Sequence, residues 1–368
     1  MEAERTKIMS EGKKVRIGII GFGGIAQGAH TPGYRNIPEL CEIVAVADIL
    51  PDKLATAQTK WGITDVYEDY RKMLERDDID AVSVCTPNAV HSIATVDALK
   101  AGKHVLCEKP MAMNPAECQA MIDAAKSTGN KLQIGYNMRF GSGAQCLKRA
   151  VTAGEFGEVY YSRARAIRRR QVPPSPNFLD KSRSGGGPLI DIGVHITDMT
   201  LWLMGHPKPV AASGQTYNKM GTKPGGMIGM WGTWKPEDYG VEDFASALIR
   251  LENGATIGLE ASFIANIARE EFSTHLMGTE AGAFLDGYSN DITIYREEFG
   301  TLTDTKPGWL PDAGSTHGAE IRAFVTAIRD NRTIEEMGAA TGEQAMMVTQ
   351  IMDAIYRSAE TGREVVIG

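Results

Sequence analysis

The sequence predicts an α/β domain built on a doubly wound parallel sheet, followed by an α+β domain built on a mostly antiparallel sheet. Three observations carry this. Short, almost wholly apolar runs alternate with helical patterns up to about residue 136, as in a parallel sheet covered on both faces. A glycine-rich turn of the form GxGxxA opens directly after the first run. Beyond residue 140 the pattern changes to strand, Asn-Gly turn and strand, with helices returning only near the end.

The first run is Val15 to Ile20, breaking into Gly21-Phe22-Gly23-Gly24-Ile25-Ala26. Further runs follow at Ile43–Ala47, Ala81–Cys85, His104–Cys107 and Leu132–Gly135, ending respectively at Asp48, Thr86-Pro87-Asn88, Glu108-Lys109-Pro110 and Tyr136-Asn137. Between them Val90, Ile93, Ala94 and Val96 to Leu99 keep one helical face apolar, with Gly102 as a stop. Pro115 opens the next helix and Gly129 closes it. Residues 15–136 therefore read as one domain, 137–368 as a second and 1–14 as a flexible arm.

In the second domain Phe244–Leu251, Glu252-Asn253-Gly254 and Ala255–Phe263 read as a hairpin. Phe272–Met277, Ala283–Leu285 and Ile292–Tyr295 are further strand candidates. Ile321, Phe324, Val325 and Ile328 share a helical face, as do Val348, Ile351, Met352 and Ile355. Segments 171–188 and 218–243 are rich in Pro and Gly and are expected to be long loops near a site or a subunit contact.

At 368 residues and 43% apolar the chain suits two globular domains, and a net charge of −7 gives no support to nucleic acid or an anionic membrane as partner. Five cysteines, an odd number with no CxxC pair, read as small buried hydrophobes in a reducing compartment. The charged N-terminus lacks an apolar signal core and no run is long enough for a membrane span, so the expected location is the cytoplasm. No metal-ligand spacing is present.

The glycine turn is the Rossmann dinucleotide fingerprint: its glycines admit a tight turn and let a pyrophosphate approach backbone N–H groups at a helix N-terminus. Alone it is weak, since glycine pairs are common in turns. Asp48 strengthens it, because a carboxylate at the end of the second strand accepts hydrogen bonds from the adenosine ribose and repels a 2′-phosphate. Ile49, Leu50 and Pro51 follow instead of a cation, so NAD is expected over NADP. Thr86 and Asn88 stand at a strand end, where open α/β sheets bind ligands, although Asn88 also suits a helix cap. His91 falls in the first turn of the helix that follows; a lone histidine there is as readily structural.

With this fingerprint, Thr86-Pro87-Asn88, His91, Glu108-Lys109-Pro110, Gly135-Tyr136-Asn137-Met138-Arg139-Phe140 and Gly185-Gly186-Gly187-Pro188-Leu189-Ile190-Asp191-Ile192-Gly193-Val194-His195, the chain resembles the Gfo/Idh/MocA oxidoreductases from residue 15 to its end. The resemblance implies a Rossmann domain followed by a domain with a large open sheet. It places Lys109, Asp191 and His195 at the family's catalytic positions; Glu108 and Lys109 join the expected cofactor contacts, and Asn137 contacts cofactor or substrate or packs the domain junction. Oxidising a secondary alcohol needs a base for the hydroxyl proton, and a histidine suits that role near neutrality. Asp191, four residues before His195, shares its face if the segment is helical and would orient the imidazole. Lys109 would donate to the substrate oxygen and ease a developing alkoxide, with Pro110 shaping the turn, through a cis bond if one is present. Arg139 and His317 complete the expected substrate contacts; for Arg139, packing at the domain junction is an equal alternative.

Arg163 and Arg165 would share one strand face, with Arg168 and Arg170 at the following bend. A solvated or subunit-facing patch is the plainer reading, and one arginine gripping substrate the sharper. Trp231 and Trp234 either stack on a sugar ring or aglycone or, the plainer reading, anchor their loop or an oligomer interface. The expected function is NAD-dependent oxidation of a secondary hydroxyl on a sugar, cyclic polyol or glycoside, carbon 3 of a glycoside included. The alternatives are an NAD-dependent redox glycosidase and a catalytically silent NAD-binding sensor. An open sheet face needs covering, so a homodimer or higher homo-oligomer is expected.

Overall fold

The computed structural model describes residues 13–312 and 314–368; apart from Lys13 and Lys14, the expected arm lies outside the described residues. The chain divides into two compact units.

The first unit comprises described residues up to 112, then 116–137 and 314–345. Its strands are β1 (Val15–Ile20), β2 (Cys41–Ala47), β3 (Val66–Tyr67), β4 (Ala81–Val84), β5 (His104–Cys107) and β6 (Leu132–Ile134). The sheet runs β6-β5-β4-β1-β2-β3 with every neighbouring pair parallel, and Ala340–Thr341 adds an antiparallel edge beside β6. Strand order reverses at β1, the switch point where such sheets bind ligands at their carboxyl ends. All four residues of β4 are buried, as strands covered on both faces require. The sequence boundary at 136/137 is not the last crossing. The helix Thr316–Arg329 belongs to this unit, its Ile321 side chain lying against Gly33, where a Cβ would collide with it. The expectation that everything after residue 136 forms the second domain is corrected to that extent. A helix pattern shows which face is apolar, not which sheet that face covers.

The second unit comprises residues 113–115, the described residues from 138 to 312, and 346–368. Its strands are β7 (Val159–Ile167), β8 (Pro209–Tyr217), β9 (Phe244–Leu251), β10 (Thr256–Ser262), β11 (Glu271–Gly278), β12 (Ala281–Asp286), β13 (Ile292–Glu298) and β14 (Thr301–Thr305). They run β14-β13-β12-β11-β7-β10-β9-β8, with Val365–Val366 beyond β8. The β9–β10 hairpin forms as read, Gly254 taking φ +86° in its turn. Every pair is antiparallel except β7–β10. Strand β7 alternates cleanly: Ser162, Ala164 and Ala166 are buried, while Arg163 and Arg165 face the other way. There Arg165 pairs with Glu260 at 2.6 Å and Glu271 at 3.2 Å. The buried face is covered in part by the helix Val194–Leu203, Thr200 bonding Thr274 of β11 at 2.9 Å. None of the five cysteines is in a disulfide. No helix among the described residues is long and apolar enough to cross a membrane.

Candidate active site

In the first unit the chain leaves β1 through Gly21, whose φ of +84° favours glycine and whose Cβ would lie 2.7 Å from the Cys85 carbonyl oxygen. Gly23 and Gly24 have open space where a Cβ would stand, and Ile25 is part-exposed. Phe22 and Ala26 are fully buried, so Phe22 offers its backbone, not its ring, to this turn. The helix that follows begins with a π-helical turn, Ala26–His30, and continues as Thr31–Arg35. Its first N–H groups have no intrahelical partner by geometry and form an anion site. Asp48, just past β2, accepts from Phe22 N at 2.6 Å and Leu50 N at 2.9 Å, which aims the carboxylate across the turn. Ile49 is 83% exposed and supplies no charge for a 2′-phosphate.

At the end of β4 the Thr86 hydroxyl oxygen is buried and makes no hydrogen bond within the chain, an orphan that a ligand hydroxyl or amide would satisfy. Asn88 is the first helical residue of Asn88–Lys100, with Pro87 in the cap position, so the capping role foreseen for it is not the one observed. His91 is held between two backbone carbonyls. It is buried, its ring nitrogens lie 2.7 Å from the Pro110 oxygen and 2.9 Å from the Thr86 oxygen, and it spans the two strand-end turns. These residues fit NAD: a glycine cradle, a helix N-terminus, a ribose-level carboxylate and an orphaned hydroxyl lie at the switch point of one sheet.

Lys109 follows β5, is half-buried, and precedes a cis bond to Pro110. Beneath it lies a buried polar chain that the sequence did not reveal. Tyr34 Oη lies 2.7 Å from Ser83 Oγ, Ser83 Oγ 3.0 Å from His30 Nδ1, and His30 Nε2 2.8 Å from Glu108 Oε1. Glu108 Oε2 accepts from the Lys109 N–H at 3.1 Å. Burial alone would raise the Glu108 carboxyl, but its bond to His30, with the charges of His30, Lys109 and His317, holds it down to about 2. His317 is in the first turn of Thr316–Arg329, where burial pushes its imidazole below the ordinary histidine value. Asn137 donates to Thr316 Oγ1 at 2.7 Å and lies 3.4 Å from His317 Nδ1. The structure thus brings Glu108, Lys109, Asn137 and His317 to one end of this sheet.

In the second unit Asp191 lies in a π-helical turn, Leu189–Gly193, which runs into Val194–Leu203. From Gly186 to Leu203 every residue is buried except Asp191 and His195. Four residues apart, the two share the one side of this segment that reaches the surface. The turn before them is fixed by Glu242, which the sequence did not single out. Glu242 accepts from Gly187 N at 2.9 Å, Leu189 N at 3.1 Å and Tyr356 Oη at 2.9 Å. A Cβ on Gly186 would strike the Tyr356 hydroxyl and one on Gly187 the Glu242 carbonyl oxygen, which accounts for two glycines of the GGG run. Arg168 lies beside Asp191, Nη1 to Oδ2 3.7 Å. Arg139 has its own partners within this unit. It is 1% exposed and grips Asp198 through Nε at 2.8 Å and Nη2 at 2.6 Å, with His206 Nε2 3.1 Å from Nη2. Burial, then the charges of Arg139 and Lys148, lowers His206 to about 3, so it accepts from Arg139 as a neutral ring. A partner 59 residues away gave no local signal.

A Rossmann unit with this glycine turn and Asp48, joined in sequence to a unit presenting an Asp–His pair, defines an NAD-dependent oxidoreductase. Comparison with known proteins agrees. Residues 15–136 match the model of the oxidoreductase family with an NAD-binding Rossmann fold, and 144–284 match the GFO/IDH/MocA C-terminal domain. The chain belongs to the Gfo/Idh/MocA family. It is 35% identical to the D-glucoside 3-dehydrogenase of Escherichia coli K12 over 95% of this chain and 97% of that one. It is 27% identical to the myo-inositol 2-dehydrogenase of Thermotoga maritima, over 95% and 98%. Among solved structures, the oxidoreductase domain protein of Kribbella flavida superposes with TM-score 0.84 at 26% identity, over 96% of this chain and 99% of that one.

Proposed function

We propose that this protein is an NAD-dependent dehydrogenase of glucosides that oxidises the ring hydroxyl at carbon 3, with Lys109, Asp191 and His195 as its catalytic residues. The observation that carries the reading is the partial exposure of Asp191 and His195 alone in an otherwise buried segment of eighteen residues, 186–203. Burying the rest while presenting a carboxylate and an imidazole on one side is a chemical surface, not a packing one. The 35% identity to the E. coli D-glucoside 3-dehydrogenase across nearly both chains supports the substrate class.

NAD, when bound, supplies the hydride acceptor, so that a CH–OH carbon becomes a ketone and one proton is left over. Gly21, the backbone of Phe22, Gly23, Gly24 and Ile25, Asp48 and Thr86 would hold it. His195 takes the hydroxyl proton. Asp191 orients the imidazole and stabilises its protonated form. Lys109 donates to the substrate oxygen and stabilises negative charge as the proton leaves. Glu108 fixes the Lys109 backbone through the contact described above, and His317 borders the lysine with its imidazole held toward the neutral form. The reading also comprises a cytoplasmic homo-oligomer: the reduced cysteines support a reducing compartment, and the outward face of the nine-stranded sheet supports self-association.

The test is to follow reduced nicotinamide with purified protein, NAD or NADP, and a panel of glucosides, free aldoses and inositols, then locate the new ketone by NMR. NAD-linked oxidation of glucosides at carbon 3 is the expected result. Turnover confined to inositols or aldoses would overturn the substrate assignment. Glycoside cleavage without net reduction would replace it with redox hydrolysis, and binding of NAD with no turnover at all would leave a sensor.

A further inference from the structure

The two tryptophans of the loop 218–243 do different things. Trp234 is spent on the loop itself, donating to Gly221 O at 2.9 Å and lying against Tyr239 with ring centroids 5.9 Å apart. The loop base is tied by Asp243, whose carboxylate accepts from the backbone N–H groups of Lys219, Met220 and Gly221. Met230 N donates to Arg170 O at 2.8 Å and fastens the far side to the end of β7. Trp231 is thus displayed from a tethered segment, and it stays 50% exposed.

One face of Trp231 covers Arg168, the guanidinium lying 4.6 Å from the indole centroid and 5.8 Å from that of Phe263. Arg168 Nε and Nη1 are buried and make no hydrogen bond within the chain, so stacking, the Asp191 charge and a side-chain bond to Tyr288 position this cation, in place of a bidentate fork. Following the bonds and contacts from Asp191 through Arg168 puts the Trp231 ring no more than about 10 Å from the Asp191 carboxylate. The neighbouring rim is open: Met230 is 63% exposed, and Tyr288, whose hydroxyl bonds the Arg168 side chain, is 54% exposed.

We propose that Trp231, carried on Arg168, forms the subsite for the group attached to the sugar's anomeric carbon, and that the occupant is an aglycone with a flat apolar face. The inference rests on the glucoside reading above. A pyranose whose hydroxyl meets Asp191 and His195 has its anomeric substituent two ring carbons away, and an aryl group there spans a distance comparable to the separation of about 10 Å at most between the Asp191 carboxylate and the indole. Stacking covers apolar surface on both partners, which no methyl or hydroxyl substituent does to the same extent. Arg168 supports the ring from behind while leaving Asp191 a cationic neighbour, so the aglycone subsite and the candidate catalytic pair share one residue.

The test compares phenyl β-D-glucopyranoside, methyl β-D-glucopyranoside and free glucose in wild type, Trp231→Ala, Trp231→Phe and Arg168→Lys. Turnover with NAD and calorimetric binding to NADH-loaded protein are both measured. The expected result is a wild-type preference for the phenyl glucoside. Trp231→Ala raises its KM and Kd roughly ten- to fifty-fold with kcat little changed, leaves the methyl glucoside within about two-fold, and Trp231→Phe restores part of the loss. Arg168→Lys weakens the phenyl preference through loss of the planar stack. Equal losses on all three sugars, or a phenyl preference that survives Trp231→Ala, would overturn the subsite. Should wild type turn over none of the sugars, the glucoside reading fails, and the binding data still decide the subsite: equal phenyl and methyl affinities sink it. If Trp231→Ala does not fold, Trp231→Phe and the wild-type titration carry the same decision.

Discussion

Glu108 in the first unit and Glu242 in the second are both buried carboxylates that hold a segment bearing candidate catalytic residues, and they do so under opposite electrostatics. Glu108 is surrounded by groups that carry or can carry positive charge, His30, Lys109 and His317, which overcome burial and keep it ionised. Glu242 meets only neutral donors, the Gly187 and Leu189 N–H groups and the Tyr356 hydroxyl, so burial wins and its carboxyl rises above the usual glutamate value. The lesson is that similar positioning is reached by a balanced charge in one unit and by a capped turn in the other. A charge that needs its partner and one that needs only donors should respond differently to the same substitution.

Glutamine tests this first. Glu108→Gln removes the anion that His30 and the Lys109 backbone are arranged around, and should cost about 3 to 5 kcal/mol, the range for breaking a buried pair. Glu242→Gln keeps one of the two acceptor oxygens and sets its NH2 against the other backbone N–H, and should cost about 1 to 3 kcal/mol, less than the loss of the ion pair. Chemical denaturation of the two variants measures both, and equal losses would erase the contrast. Next, Gly187→Ala drives a Cβ into the Glu242 carbonyl oxygen. Displacing the turn before Asp191 should lower kcat by about 100-fold while NAD affinity holds; an unchanged kcat would show that the turn does not set the pair.

A smaller effect belongs to the cofactor turn. Asp48→Ala should weaken NAD by about ten-fold and narrow its advantage over NADP, since a charge-assisted ribose contact is worth about 1.5 to 3 kcal/mol at most. An undiminished preference for NAD would remove Asp48 from ribose recognition. Smallest is the pH response. With its folded value lowered to about 2, Glu108 contributes stability that is present above the ordinary glutamate range and is lost as pH falls toward 2. Glu242, with its value raised, contributes stability that is complete below that range and fades as pH rises through its folded value. Acid-side stability curves should therefore flatten in Glu108→Gln and not in Glu242→Gln; the reverse pattern would invert the assignment.

The same contrast explains what the sequence made legible. The Rossmann unit is written in short-range terms: β1 and β5 lie where their apolar runs stand, and Gly21 and Asp48 mark strand ends by identity alone. The hairpin β9–β10 is equally local. Its parallel partner β7 is not, being about a hundred residues upstream, and neither is the return of 314–345 to the first unit. Among site residues, Lys109, Asp191 and His195 stood out by resemblance. His30, Ser83 and Glu108 meet across 53 and 78 residues, and Glu242 meets Gly187 across 55, separations over which no periodicity speaks. Arg139 and His91 show the converse. Polar residues beside a motif invite a ligand role, and burial here also gives each of them partners inside the protein, Asp198 for one and two backbone carbonyls for the other.

The most direct test of the account is steady-state turnover of a glucoside with NAD in wild type, Lys109→Ala and His195→Ala, with NAD affinity measured on each protein. The account predicts that both variants lose about 100- to 10,000-fold in kcat, while NAD binding stays within a few-fold of wild type. Wild-type turnover in either variant would contradict it.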